Sequence, residues 1–87
     1  MPQPVGHPGD LTPGDLFEDC RFHPCLCIEV GDESDPAAVW GISLVDGSPS
    51  GCDIRHCGLR KLTLDEAVQW KHGGPSDREL EGKNRWW

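Results

Sequence analysis

The sequence lacks the features that most readily name an activity. No stretch approaches the roughly 20 apolar residues that a membrane span needs, so no membrane partner is expected. No apolar h-region follows the start MPQPVGHPGD, so no secretory signal is read there. No CxxC redox pair, phosphate-cradling glycine loop or paired-carboxylate signature is present. Positive charge is scarce: 8 Lys and Arg stand against 15 Asp and Glu, a net charge of −7. Phosphate neutralisation supplies most nucleic-acid affinity, so nucleic acid is not an expected partner. The basic stretch Arg55, His56, Arg60 and Lys61 reads as a solvated face. An even number of cysteines is also lacking. Five thiols cannot all pair within one chain. Free thiols or a metal site in a reducing cytoplasm is the economical expectation.

What is present is short, β-rich and thiol-rich. The 87 residues allow one domain, with only a modest core. Composition divides it into a flexible leader over 1–13, a domain over 14–72 and a flexible tail over 73–87. Glycine and proline crowd the ends, and chain ends of that kind resist ordering. His7, in the leader, reads as solvated.

The centre of the chain is the stretch from Asp15 to Val30, DLFEDCRFHPCLCIEV. Leu26, Ile28 and Val30 alternate with Cys25, Cys27 and Glu29, the period of a half-buried strand. Pro24 has no backbone donor, and His23 before it is driven to an extended conformation. A bend therefore separates a short strand over 15–19 from a second over 24–30. GDESDP over 31–36 is a turn. A third strand runs over 39–45, with Trp40, Ile42 and Leu44 on one face. Asp46-Gly47 is a hairpin signal. Strands over 52–56 and 59–62 follow. Thr63 to Glu66 is a capping box that opens a helix over 64–72, and Gly73 stops it. The expected fold is mainly β: a small antiparallel barrel of about five strands plus one C-terminal helix. Its expected core is Leu16, Leu26, Ile28, Val30, Trp40, Ile42, Leu44, Ile54, Leu62 and Val68, completed by Trp70.

Two thiol- and imidazole-rich clusters carry the candidate chemistry. They are Cys20 to Cys27 and Cys52 to Cys57. Zinc takes four sulfur or nitrogen donors in a tetrahedron. Cys20-x-x-His23 has a suitable spacing at a bend. Cys25 and Cys27 do not, because residues i and i+2 of a strand are about 6.6 Å apart. The expected metal ligands are Cys20, His23, His56 and Cys57, with Cys52 as the alternative to His56. Against this stands the ordinary role of a buried free cysteine, a small core residue, for which no cofactor is needed. A thiol enzyme ranks last. His56 precedes Cys57 directly, and strand neighbours point to opposite faces, so adjacency does not pair thiol with imidazole. Trp86 and Trp87 follow Arg85 at the end of the chain and suit a protein-binding anchor.

The pieces DLFEDCRFHPCLC, GISLVDGS and HCGLRKLTLDEA resemble a group of small bacterial proteins of unassigned function. The resemblance spans residues 13 to 70. It implies an SH3-like barrel followed by a short helix, and a bacterial cytoplasmic setting, but no activity. The reading is then a non-enzymatic protein-interaction module, with a structural zinc-binding domain as the alternative and a thiol-dependent enzyme third.

Overall fold

The computed structural model describes residues 2–75. Six short strands form one antiparallel sheet: β1 (Gln3–Pro4), β2 (Leu16–Glu18), β3 (Pro24–Val30), β4 (Ala38–Ser43), β5 (Pro49–Asp53) and β6 (Arg60–Leu62). Their order is β1-β6-β2-β3-β4-β5. The sheet is open, with β1 and β5 at its edges. One helix follows, α1 (Leu64–Gly73). Its capping box forms as the sequence implies. Thr63 Oγ1 accepts from the Glu66 backbone N–H at 3.2 Å, and Glu66 Oε1 accepts from the Thr63 N–H at 2.9 Å.

The leader segment 1–13 contributes β1, which pairs with β6 through Gln3 and Lys61. Val5 and Leu11 are buried in the core. A short apolar sheet gains most by covering its open face, and this segment supplies the cover. The expected strand over 52–56 is displaced, to Pro49–Asp53. Proline is tolerated at the start of an edge strand. Residues 54–57 are instead a turn, closed by the Cys57 N–H on the Asp53 carbonyl at 2.9 Å.

The sheet turns the opposite face inward from the one expected. Cys25, Cys27 and Val39 are the buried face, while Ile28, Trp40 and Ile42 are 49%, 46% and 43% exposed. The core holds Phe17, Cys25, Cys27, Val39, Cys52, Ile54 and Leu59, with Val5 and Leu11 above it. Small residues line this face because Phe17 fills it. A Cβ at Gly41 would lie 2.9 Å from the Phe17 ring and 2.6 Å from the Leu26 carbonyl oxygen. The other face is apolar as well. There α1 lays Ala67 and Trp70 on Leu62, with Leu16 and Leu44 at the margin. Val68, expected inside, is 47% exposed. Leu26 and Val30 are half-buried.

Trp86 and Trp87, and most of the tail read over 73–87, lie outside the described residues. Gly74 and Pro75, at its start, are buried. Among the described residues no helix is long and apolar enough to cross a membrane.

Candidate metal centre

All five cysteines are free thiols. The fold sorts them into two sets. Cys25 and Cys27 point into the core from β3. Cys25 Sγ lies 3.5 Å from both Asp19 Oδ2 and the His23 carbonyl oxygen. Burial raises both of these thiols above their ordinary range, Cys25 strongly, which makes them inert packing groups.

The other three converge. The Sγ atoms of Cys20, Cys52 and Cys57 all lie within 4.8 Å of one another, and Cys20 and Cys52 are 3.8 Å apart. Each comes from a different local structure. Cys52 sits on β5, its side chain alternating inward with Ser50. Cys57 ends the turn that begins at Asp53, and the Asp53 N–H donates to its Sγ at 3.4 Å. Cys20 lies in the bend between β2 and β3. That bend closes when the Phe22 N–H donates to the Asp19 carbonyl at 3.0 Å. Phe22 adopts a φ of 64° there, a left-handed conformation costly for an aromatic residue.

Asp19 holds this bend in place. Its carboxylate is fully buried and accepts from both sides. Oδ1 takes the N–H groups of Arg21 at 2.9 Å and His23 at 3.0 Å. Oδ2 takes Arg21 Nε and Nη2, each at 3.2 Å, and the Ser50 hydroxyl at 3.0 Å. Ser50 is two residues from Cys52. The hydroxyl therefore ties the loop carrying Cys20 to the strand carrying Cys52.

The donor set fits a thiophilic ion. Tetrahedral zinc with Zn–S near 2.3 Å sets adjacent sulfurs about 3.8 Å apart, the spacing already present between Cys20 and Cys52. Thiolates select zinc and Cu(I) over harder cations. Burial pushes the Cys52 thiol up to about 12 and raises that of Cys20. A metal would have to displace those protons, so binding strengthens as pH rises. Access is open, because Cys20 is exposed, Cys57 half-buried and Cys52 buried.

The expected ligands divide. Cys20 and Cys57 come together with Cys52, the residue held above as the alternative to His56. His23 does not join them. It is buried, with Nδ1 2.8 Å from Ser43 Oγ, and burial lowers its proton affinity. His56 lies beside Cys57 on the surface, outside the thiol cluster. The signal for Cys52 in the sequence was its period-2 relation to Ser50, which puts both on the inner face.

Neither a family model, nor a curated protein, nor a solved structure matches this chain.

Proposed function

We propose that this is a non-enzymatic binding domain that holds one thiophilic metal ion, zinc foremost, through Cys20, Cys52 and Cys57. The observation that carries the reading is the convergence within 4.8 Å of three thiols, one from the β2–β3 bend and two from β5 and the turn that follows it. A core of this size gains from a metal that joins the β2–β3 bend to β5 and its turn. A thiol enzyme ranks below this reading, since burial makes Cys20 and Cys52 harder to ionise and a reactive cysteine needs the opposite. Free thiols at a metal site suit a reducing compartment, and a cytoplasmic bacterial setting belongs to this reading. So does the SH3-like barrel implied by the sequence resemblance, supported by the run of neighbouring antiparallel strands from β2 to β5.

The test is native mass spectrometry and zinc titration of the full chain purified without chelator. One zinc per chain is expected, lost in acid. Cys52→Ser should weaken binding by more than about 100-fold, beyond the usual effect of residues that only support a ligand. Cys27→Ala, a core control, should retain the metal. Equal zinc binding by wild type and Cys52→Ser would sink the assignment.

A second reading, a protein-interaction face, is favoured by one observation. Trp40 and Ile42 project from the same face of β4, with Ile28 near them on β3, all about half exposed. The Trp40 ring lies over Gly51, whose Cβ position is 2.6 Å from Cζ3, so the indole is braced as an anchor. A bound partner protein recovered with wild type should be lost with Trp40→Asp and Ile42→Asp. Unchanged recovery with both folded variants would remove this reading.

A further inference from the structure

Three thiolates leave one corner of a zinc tetrahedron without a protein ligand. We propose that His56 occupies that corner, so that the site is Cys20, Cys52, Cys57 and His56. The inference rests on the three-cysteine reading above and names its missing donor.

The turn that delivers Cys57 also delivers His56. The N–H groups of both residues donate to the Asp53 carbonyl, at 3.0 Å for His56 and 2.9 Å for Cys57. Their backbone is therefore set by one structure, a turn that fixes His56 next in the chain to the ligand Cys57. Its side chain is exposed, and among the described residues no hydrogen bond or ion pair holds the ring. The other histidines are committed or distant. His7 pairs with Asp10 at 3.5 Å, His23 is bound to Ser43, and His72 lies in the last turn of α1. The His56 ring stands outside the 4.8 Å cluster and turns inward as metal binds. It gives up no partner in doing so, and the cost is limited to rotamer freedom.

Charge also selects a neutral donor. Zinc with three thiolates carries a net charge of −1 by formal count. The nearby carboxylates Asp19, Asp35 and Asp53 outnumber the cations Arg21 and Arg55 that pair with them. A fourth thiolate or a carboxylate would add another negative charge to this surface. Imidazole adds none, and three cysteines with one histidine is an established structural zinc set.

The test uses Co(II) as the probe in the full chain, comparing wild type with His56→Ala and titrating each with free imidazole. His56 is exposed, so its removal leaves the fold intact. A thiolate-to-Co(II) charge-transfer band in wild type, with visible absorption that imidazole does not alter, is the expected result. His56→Ala should shift the visible absorption, weaken binding roughly ten- to hundredfold, and recover on adding imidazole. A wild-type spectrum that changes saturably with imidazole would mean an open fourth position and overturn the assignment. So would a His56→Ala spectrum and affinity identical to wild type. Absence of the charge-transfer band in wild type would remove the three-cysteine site itself, and His56 with it.

Discussion

Asp19→Ala is expected to destabilise the domain by roughly 3–5 kcal/mol and to loosen the metal centre with it. The ion pair with Arg21 is the smaller part of that cost. The Arg21 side chain is 43% exposed, so water replaces most of what the carboxylate supplies. The larger part is what remains inside. The His23 N–H and the Ser50 hydroxyl are buried, and both lose the carboxylate oxygen they donate to. Losing such a charged acceptor inside the fold costs about 1–3 kcal/mol for each donor. No buried side-chain nitrogen or oxygen among the described residues lacks a hydrogen-bond partner, so the substitution would create a defect that the native fold avoids. Asp19→Asn separates charge from shape. Its remaining oxygen can serve the two backbone N–H groups, and the Ser50 hydroxyl can rotate to accept from the amide. About 1–2 kcal/mol is expected there. Urea unfolding of the metal-free chains gives both values. In the folded Asp19→Asn protein the bend carrying Cys20 is held less firmly, and zinc affinity should fall about 10–100-fold. Wild-type affinity in that variant would show that the Asp19–Ser50 link does not position Cys20.

How far the sequence discloses this molecule depends on the range of the interaction concerned. The cap of α1 lies within four residues, and both of its hydrogen bonds form where Thr63 and Glu66 imply. The span of β3, bounded by Pro24 and Gly31, is legible for the same reason. Which face of the sheet turns inward is not, because both faces are apolar. The larger side chains of Ile28, Trp40 and Ile42 suggested the core, yet Phe17 occupies the interior and admits only Gly41 and its small neighbours. The thiol cluster was half legible. Cys20 and Cys57 stood out as candidates, with Cys52 as the alternative to His56, but which of them meet depends on contacts such as Cys20–Cys52, 32 residues apart in the chain. The two buried carboxylates were illegible. Glu18 and Asp19 look like a solvated strand end in DLFED. Their partners Ser50, Arg60 and Trp70 lie 31, 42 and 52 residues away, beyond any local pattern.

Glu18→Ala should be at least as damaging, through the opposite face of the sheet. Glu18 alternates with Phe17 on β2 and so points beneath α1. Arg60 grips it with Nε on Oε1 at 3.0 Å and Nη2 on Oε2 at 2.9 Å. The Trp70 indole N–H donates to Oε2 at 2.6 Å. Unlike the Asp19 pair, this one is shielded on both sides, with side-chain exposures of 2% for Glu18 and 16% for Arg60. Removing the carboxylate leaves a poorly solvated guanidinium and a buried indole N–H, an expected loss of about 3–5 kcal/mol. Small domains have about 5 kcal/mol or little more in total, so most of the protein should be unfolded or lack a docked helix at 25 °C. Near-ultraviolet circular dichroism and urea unfolding would read this directly. The double variant Glu18→Leu/Arg60→Met tests the cause. Replacing both charges with apolar groups of similar volume is often close to neutral, but Trp70 would still lack its acceptor. Recovery should therefore stop about 1–3 kcal/mol short of wild type. Full recovery would mean that the indole hydrogen bond contributes little. No recovery would place the damage in packing rather than charge. The helix has only ten residues, and a capped helix of that length is marginal alone. Its attachment to the sheet rests on the Leu62 and Trp70 contacts and on this carboxylate, which fixes the indole's register against β2 and β6.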